Sequence, residues 1–514
     1  MLVPLTLGDF LERAETVYGD REAVVDEPSP PGGGLGRVSY ARFGEMARGL
    51  AAALDDLGVG ENDRVAIVSP NSARFLVTLF GVSVYGRILV PVNFRLHPEE
   101  VRYILEHSGA SVLLVDPELD EPLRGMPVKH RVVLGAATDG RWFLRKDGRP
   151  RLRVTDENAT ASINYTSGTT ARPKGVQLTH RNFWLSAVTF GWHLALTDRD
   201  VYLHTLPTFH CNGWGMPYAV AGMGVRQVII RKIDGEEILK RIEAESVTLF
   251  NCAPAVLAAV LDAAASRRAG GLTVPGRSRV RVVVAGAPPP SKTIERVETE
   301  LGWEFIQIYG LTETSPLLTI NRAPAEWDGV DAAERARRLS RAGVPALGVR
   351  MQVDAEGELL ARSNHVFEGY WKQPEETAKA IADGWFHTGD GGYREGAYVA
   401  ISDRKKDVII TGGENVSSIE VEDCLFQHPA VAEAAVIGVP DDKWGETIKA
   451  LVVLRAGTAA TEADLIEHCR SRMAHYKCPT SIEVREALVR TATGKLQKFK
   501  LREPYWAGRA RRVN

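Results

Sequence analysis

The sequence predicts an α/β protein with a large N-terminal domain of packed sheets and helices and a small, mobile α+β domain at the C-terminal end. Three observations predict this class. Short β-rich runs alternate with segments of helical length, the predicted strands are apolar on both faces, and the pattern changes near residue 400. Strands of this kind, separated by helices, are typical of parallel sheets covered by helices. At 514 residues the chain is also too long for one ordinary core.

The predicted strands of the large domain follow one another with helices between several of them. The strands are DRVAIVSP, SVLLVDP, VYLHTLP, RQVIIRK, VTLFNCAP and RVRVVVAGAP. NSARFLVTLFGVSVYG and GEEILKRIEAES have the length of helices, and EWDGVDAAERARRLSRAG predicts a charged surface helix. DAEGELLARS and GAYVAISDRKKD predict β-hairpins with glycine turns.

A compact α+β unit is predicted after these hairpins. SSIEVEDCLFQHPAVAEAAVIGVPDDKWGETIKALVVL predicts a helix, a strand, a turn and a strand, and EADLIEHCRSRMA predicts a further helix. We therefore divide the chain into an N-terminal domain of residues 1–402, a join of residues 403–407 and a C-terminal domain of residues 408–514. The charged string SDRKKD at the join fits either a solvated linker or a hinge.

Composition excludes several classes of protein. The net charge is −2, with Lys+Arg 63 against Asp+Glu 65, which gives no electrostatic reason to expect a nucleic-acid partner. The 5 cysteines are scattered without a C-x-x-C pair, so neither a disulfide framework nor a zinc site is expected. The most apolar run, FLVTLFGVSVYG, is too short to span a bilayer, and no integral membrane segment is expected. We expect a cytoplasmic protein, with a homodimer as one option.

The stretch YTSGTTARPKGV, from Tyr165 to Val176, has the composition of a phosphate-binding turn. Its hydroxyls and backbone amides can donate to phosphate oxygens, and Lys174 adds positive charge. The order is not that of a Walker A loop. It closely resembles the phosphate loop of the adenylate-forming superfamily, which includes acyl-CoA synthetases, peptide-synthetase adenylation domains and firefly luciferase. Ala171 stands where that family usually has glycine.

Further stretches resemble motifs of the same family, in the family's order. They are VVAGAPPP and IYGLTET for adenine, GWFHTGD and SDRKKDVIITGGENVSSIEVED for ribose and the hinge, and VRTATGK for a C-terminal lysine. Val489 holds a place where the family usually has proline. The resemblance covers nearly the whole chain and is closest to a bacterial acyl-CoA ligase of the fatty-acid type.

The resemblance implies a set of nucleotide-binding residues. The ATP- and AMP-binding residues would be Thr166, Ser167, Gly168, Thr169, Thr170, Lys174, Gly286, Ala287, Tyr309, Gly310, Thr312, Asp390 and Arg404. Thr312 would contact the α-phosphate, and Glu313 would hold Mg²⁺, a cation that prefers carboxylate and phosphate oxygens. Asp390 would accept hydrogen bonds from both ribose hydroxyls. Each residue type also has an ordinary structural role in strand ends, turns and solvated surface.

The resemblance also implies how the reaction proceeds. Lys495 would bridge the attacking carboxylate and the α-phosphate, so that catalysis depends on position and charge. The catalytic set is then Lys495, Thr312, Glu313 and His210, with His210 lining the site. The small domain would rotate about Lys406 between the two steps and so open a channel for the thiol. The residues implied for coenzyme A are Gly412, Gly413, Trp444, Tyr476 and Lys477.

The predicted acyl pocket is mostly apolar and aromatic. His210, Asn212, Gly213 and Trp214 lie in FHCNGWG, where Trp214 fits either a pocket wall or a core filler. We expect an apolar acid of medium or long chain, activated as acyl-AMP and transferred to coenzyme A, with ATP and coenzyme A as co-substrates. An enzyme that loads a carrier protein or another acceptor, and a non-catalytic nucleotide-binding protein, are the two alternatives.

Overall fold

A computed structural model describes residues 1–145, 148–166, 173–286, 289–404, 407–411, 414–441, 444–490 and 496–507. Its helices are α1 Gly8–Tyr18, α2 Tyr40–Asp56, α3 Ala73–Ser83, α4 Pro98–Ser108, α5 Ala136–Trp142, α6 His180–His193, α7 Cys211–Trp214, α8 Met216–Gly222, α9 Gly235–Glu245, α10 Pro254–Ala269, α11 Ser291–Arg296, α12 Ala332–Leu339, α13 Pro374–Ala380, α14 Ser418–Phe426, α15 Glu462–Arg470 and α16 Lys498–Trp506.

The strands of the same residues are β1 Glu22–Val25, β2 Arg37–Ser39, β3 Arg64–Val68, β4 Ile88–Val92, β5 Ala110–Val115, β6 His130–Val133, β7 Thr160–Thr166, β8 Lys174–Thr179, β9 Val201–His204, β10 Arg226–Ile229, β11 Leu249–Cys252, β12 Arg281–Val284, β13 Glu304–Tyr309, β14 Thr319–Asn321, β15 Val344–Pro345, β16 Arg350–Val353, β17 Glu358–Arg362, β18 Gly369–Tyr370, β19 Ile381–Ala382, β20 Trp385–Glu395, β21 Tyr398–Arg404, β22 Ile409–Thr411, β23 Glu414–Val416, β24 Val431–Asp441, β25 Gly445–Leu454 and β26 Ser481–Val484.

Two large sheets form the N-terminal part. The nine-stranded sheet has the order β15-β14-β13-β12-β11-β9-β10-β1-β2, and the seven-stranded sheet has the order β18-β8-β7-β4-β3-β5-β6. Their central strands are parallel, and antiparallel strands lie at the edges. The six predicted strand runs and both predicted hairpins are present, so the mixed α/β class is confirmed.

The central strands are apolar on both faces because each face of the nine-stranded sheet packs into a different core. The larger core takes Leu249 and Val283, together with residues of α1, α2, α3, α6 and α8. A second core takes Phe250 and Val284, together with residues of α9 and α10. This alternation along β11 and β12 is what a sheet buried between helical layers requires.

The C-terminal part is built on β23-β22-β25-β24, with β26 parallel to β25. Its helices α14 and α15 pack on a core of their own that contains Ile409, Val421, Val436 and Leu465. A large N-terminal and a smaller C-terminal unit are therefore confirmed, whereas the exact boundaries at residues 402 and 408 stay a prediction. In the described part of the chain, no helix has the length and apolar character needed to cross a membrane.

Candidate active site

The carboxyl ends of β12 and β13 place two of the predicted nucleotide residues side by side. The strands are parallel, with Val284 opposite Gln307, so Gly286 and Tyr309 lie at the same level just beyond the paired residues. Gly286 has φ +93°, a backbone conformation that residues other than glycine rarely adopt. Ligands of open α/β sheets bind at such carboxyl ends, which makes this edge the candidate mouth of the site.

Tyr309 and Asp390 are hydrogen bonded although 81 positions separate them in the sequence. The Tyr309 hydroxyl donates to Asp390 Oδ2 at 2.8 Å. Both residues are 8% exposed, so the bond forms away from bulk water. Asp390 lies on β20, opposite Arg404 on β21. The residues predicted for adenine and for ribose are thus brought together by the fold.

The stretch of β20 that carries Asp390, called the Asp390 turn below because Gly389 has φ +72°, is held by a buried carboxylate. Glu358 is 7% exposed, and its Oε1 accepts a hydrogen bond from the Gly389 amide at 2.8 Å. The Asp390 amide donates to Thr388 Oγ1 at 3.1 Å. Asp354, Glu358 and His387 place one possible ligand atom each within 4.8 Å of one another. Because these carboxylates accept hydrogen bonds from backbone amides of the turns, we read this group as support for the Asp390 turn.

Gly310 stands where only glycine fits. A Cβ atom built at this position would lie 1.4 Å from the carbonyl oxygen of Pro316. The backbone is this close because the loop after β13 returns on itself, and the Leu318 amide donates to the Tyr309 carbonyl at 2.9 Å. Thr312 lies in the 3-10 turn within this loop and is 8% exposed.

Glu313 and Lys174 both contact Tyr370, one at its hydroxyl and the other at its ring. The Tyr370 hydroxyl donates to Glu313 Oε1 at 3.0 Å, and Lys174 Nζ lies 4.9 Å from the centroid of the Tyr370 ring. Burial, followed by the charge of Glu313, raises the pKa of Tyr370 well above its usual range. The phenol therefore stays protonated and keeps its role as a donor. Thr166 pairs with Lys174 across β7 and β8, so both ends of the predicted phosphate loop lie at this point.

Lys174 forms an ion pair with a carboxylate of the protein itself. Glu376 Oε2 lies 2.5 Å from Lys174 Nζ, and Glu376 Oε1 accepts from Lys379 Nζ at 2.8 Å. Lys174, followed by Lys379, lowers the pKa of Glu376 to about 2. Glu376 is therefore ionised at any working pH, and a phosphate group would compete with it for Lys174.

The predicted acyl segment forms a left-handed turn. Cys211, Asn212, Gly213, Trp214 and Gly215 all have positive φ, from +47° to +69°. Such runs are rare outside glycine and cost free energy, so they persist where the surroundings hold them. Cys211 Sγ lies 4.0 Å from the Thr312 carbonyl oxygen. The turn therefore packs directly against the loop that carries Thr312 and Glu313.

The side chains of this turn point into the protein. Asn212 is fully buried, and its Oδ1 accepts from Ser162 Oγ at 3.2 Å and from Asn164 Nδ2 at 3.1 Å. Its Nδ2 donates to the Tyr218 hydroxyl at 3.0 Å. Trp214 is 5% exposed and belongs to the larger core, and His210 precedes the turn. The amide of Asn212 thus fixes the turn, with its oxygen and its nitrogen both bonded within the protein.

Known proteins identify the family. A family model described as AMP-binding enzyme matches residues 11–371, and one described as AMP-binding enzyme C-terminal domain matches residues 420–495. The chain belongs to the AMP-binding enzymes. The predicted membership of the adenylate-forming superfamily is confirmed; the fatty-acid type within it stays a prediction.

The similarity of this AMP-binding enzyme to its relatives covers nearly its whole length. It is 36% identical to 4-hydroxybutyrate–CoA ligase 2 of Metallosphaera sedula, over 98% of this chain and 94% of the relative. It is 35% identical to a peroxisomal butyrate–CoA ligase of Arabidopsis thaliana, over 98% of this chain and 93% of the relative. Because one relative is named as peroxisomal, a cytoplasmic location stays a prediction, as does a homodimer.

Solved structures of similar fold contain an acyl-adenylate, or ATP with magnesium. An anthranilate–CoA ligase in complex with anthranoyl-AMP has a TM-score of 0.87 and 28% identity, and covers 98% of each chain. O-succinylbenzoate–CoA synthetase of Bacillus subtilis, in complex with ATP and magnesium, has a TM-score of 0.80 and 26% identity, over 96% of this chain and 99% of that one.

Several predicted residues lie outside the described part of this AMP-binding enzyme. They are Ser167, Gly168, Thr169, Thr170, Ala287, Lys406, Gly412, Gly413 and Lys495. Of those predicted for coenzyme A, Trp444 and Tyr476 are each 50% exposed. Lys477 Nζ lies 2.8 Å from both carboxylate oxygens of Glu420. A surface position is compatible with a large, polar nucleotide partner, and these assignments stay predictions.

Sequence reasoning missed Tyr370, Glu376 and Glu358. Tyr370 and Glu376 lie between the two predicted hairpins in GYWKQPEE, which matches none of the family motifs, and Glu358 has the sequence context of an ordinary hairpin. Their contacts run to residues far away in the chain, with separations of 57 for Tyr370 and 202 for Glu376. No local pattern signals such contacts.

Proposed function

We propose that this AMP-binding enzyme is an acid:CoA ligase that activates a carboxylic acid as acyl-AMP and transfers it to coenzyme A. One observation carries the proposal: the hydrogen bond between Tyr309 and Asp390, two residues that the superfamily resemblance assigns to the adenine and the ribose of one nucleotide. Relatives named as CoA ligases support coenzyme A as the acceptor.

Nucleotide binding uses groups from three sheets, because Asp390 lies in a five-stranded sheet, β16-β17-β20-β19 with β21 on β20, beside the two larger ones. The Tyr309 ring offers a flat face to the purine, and Asp390 accepts the ribose hydroxyls, assisted by Arg404. A carboxylate can accept about four hydrogen bonds, so the bond from Tyr309 uses only part of its capacity. Thr166 and Lys174, with the loop between them, bind the phosphate groups.

The residues around Glu313 fit Mg²⁺. A carboxylate beside Thr312 and the phosphate-binding strands supplies the oxygen ligands that this hard cation prefers. Tyr370 orients the Glu313 carboxylate through one oxygen, as is common for carboxylates that bind metals. When bound, the ion would neutralise charge on the phosphate oxygens.

The first step joins the acid to the nucleotide. A carboxylate oxygen attacks the α-phosphorus of ATP, the bond to the bridging oxygen breaks, and pyrophosphate leaves. Thr312 contacts the α-phosphate, and Lys495 places its charge between the carboxylate and that phosphate. Position and charge contribute most to such a displacement, so no covalent nucleophile from the protein is required.

The second step transfers the acyl group. The thiolate of coenzyme A attacks the carbonyl carbon of acyl-AMP, a thioester forms, and AMP leaves with the bonding electrons. Lys495 must first withdraw, which a rotation of the small domain about Lys406 would achieve. Gly412 and Gly413 would then line the thiol channel, with Trp444, Tyr476 and Lys477 near the nucleotide of coenzyme A.

The experiment is an acid panel with purified protein, ATP and Mg²⁺. The panel runs from short acids such as butyrate to the medium- and long-chain acids that the apolar pocket predicts. We expect pyrophosphate exchange that depends on the acid, and AMP release that depends on coenzyme A. Exchange without an effect of coenzyme A would favour a carrier protein as acceptor. Absence of exchange across the panel would contradict the proposal and favour a nucleotide-binding protein without catalysis.

A further inference from the structure

Asn251 is a fully buried amide with neither of its polar atoms satisfied. The residue is 0% exposed on β11, and both Oδ1 and Nδ2 are without a hydrogen-bond partner in the protein. Buried polar groups are bonded in the great majority of cases, because an unbonded one loses its hydration without compensation. Because both polar atoms of this amide are unpaired, we expect a hydrogen-bonding partner that is not part of the chain.

The position of Asn251 connects it to the candidate site. On one side of β11, Asn251 pairs with Val283 of β12. On the other side, the preceding residue Phe250 pairs with Leu203 of β9. Strand alternation puts Asn251 on the same face as Leu249, which packs into the core that also contains Ala285 and Tyr309. Asn251 thus faces the side of the sheet on which the site is built.

The distance along the sheet suits the tail of a short acid. Gly286, at the mouth, lies three residues beyond Val283, which corresponds to about 10 Å at the usual rise per residue of a strand. On the other side, β9 continues towards His210 in the predicted acyl segment, and Asn71 fixes this stretch through hydrogen bonds to the carbonyls of His204 and Leu206. Asn251 therefore lies below the strand ends at which the candidate site is built.

The neighbouring polar groups are neutral. His204 is 2% exposed, and its Nε2 lies 3.0 Å from Gln227 Oε1 on the adjacent strand. Burial lowers the pKa of His204 to about 4, so the imidazole is uncharged at neutral pH. Gln227 is 0% exposed, and its amide is uncharged as well. Neutral donors and acceptors in an apolar core suit an uncharged polar group and disfavour a second carboxylate.

We infer that Asn251 binds a neutral hydrogen-bonding group, a hydroxyl, keto or amide, on the tail of the substrate acid. Its Nδ2 donates to an oxygen on the tail, and its Oδ1 accepts from a hydroxyl or amide hydrogen. The enzyme then prefers functionalised short acids to their purely apolar parents. This inference rests on the proposed acid:CoA ligase function, and it departs from the wholly apolar tail that the sequence predicts.

The test compares matched acids on matched variants of the full chain. The acids are butyrate with 4-hydroxybutyrate, and pentanoate with its 4-oxo derivative, each measured as AMP release that depends on coenzyme A. The variants are Asn251→Leu, which replaces the amide by an apolar group of similar shape, and Asn251→Thr, which keeps a hydroxyl. Val283→Ala is the control, because it alters the opposite residue without removing a hydrogen-bonding group.

For wild type we expect kcat/KM to be higher for the polar acid of each pair. Asn251→Leu should lower the ratio of polar to apolar acid about ten-fold or more, the effect of losing one buried hydrogen bond. Asn251→Thr should keep part of the preference, and Val283→Ala should change both acids alike. Because the ratio is taken within one variant, partial loss of folded protein cancels.

Three results would overturn the inference. One is a wild-type enzyme that turns over both acids of each pair equally or favours the apolar one. Another is an Asn251→Leu enzyme with a raised thermal midpoint and an unchanged ratio, which would mean that water alone satisfies the amide. The third is absence of turnover with every acid, which overturns the proposed function as well; turnover without preference overturns only the role of Asn251.

Discussion

Replacement of Gly310 by alanine tests whether the loop after β13 is fixed by close backbone contact. The new Cβ would meet the Pro316 carbonyl oxygen at 1.4 Å, whereas real Cβ contacts are essentially never under 3.0 Å. The obstacle is backbone, so a change of rotamer cannot relieve it, and the loop must open. Tyr309 precedes Gly310 directly and Thr312 follows two residues later, so both would move with the loop.

Displacements of about 1 Å at a reacting centre can lower rates about 100-fold. We therefore expect Gly310→Ala to reduce kcat/KM for ATP by about 100-fold or more, and to lower the free energy of unfolding by about 1–3 kcal/mol, as other overpacked sites do. Pyrophosphate exchange and thermal unfolding measure the two effects.

Gly191→Ala is the matched control, because a Cβ at Gly191 in α6 has nothing within 4 Å. That variant should keep activity and gain slightly in stability, since alanine favours helices over glycine. An active Gly310→Ala enzyme with wild-type KM for ATP and an unchanged thermal midpoint would refute the reasoning about this loop.

Three further variants test the contacts of the nucleotide site. Tyr309→Phe removes the donor that holds Asp390 before the nucleotide binds and should weaken AMP binding a few-fold in calorimetry, because the carboxylate must then be ordered on binding; unchanged affinity would argue against this role of Tyr309. Glu376→Gln removes a carboxylate that competes for Lys174, so KM for ATP should fall a few-fold, and a rise would contradict competition. Lys495→Ala should slow acyl-AMP formation about 100-fold or more but spare thioester formation from preformed acyl-AMP; equal loss in both steps would count against its role.

The framework of the fold could be predicted because it depends on local patterns. The runs that became β9, β11 and β12 are apolar, short and separated by helices, and burial between two helical layers requires this composition. The small domain was predictable for the same reason, since α14, β24, β25 and α15 each have a clear period. Such features need no knowledge of what each element packs against.

The acyl segment shows where local patterns fail. Positive φ is ordinary for the two glycines of CNGWG, but Cys211, Asn212 and Trp214 also adopt it. Non-glycine residues in this conformation are held by tertiary contacts, here the hydrogen bonds from Ser162 and Asn164 to Asn212. The sequence of these five residues alone does not indicate which distant residues bond to them. The contact of Tyr370 with Glu313 was missed for the same reason.

The partners of the predicted nucleotide residues are of two kinds, and the kinds have different consequences. Tyr309 and Tyr370 are neutral donors to Asp390 and Glu313, and each can keep its bond while the carboxylate accepts another group or binds a cation. They hold the site in shape before the nucleotide arrives, which reduces the ordering that binding requires.

Glu376 differs because it is an anion that neutralises the charge of Lys174, with 2.5 Å between Glu376 Oε2 and Lys174 Nζ. A phosphate group that binds Lys174 must displace or share this carboxylate, and two anions beside one ammonium repel each other. If Lys174 binds phosphate as proposed, part of the binding free energy of ATP is therefore used to break an ion pair. Glu376 lies on α13, directly after the segment whose Tyr370 donates to Glu313, so breaking the pair frees a helix next to a residue that orients this carboxylate. Phosphate binding and the orientation of Glu313 are then coupled through residues 370–376, a coupling that Glu376→Gln would weaken while leaving both ligand groups in place.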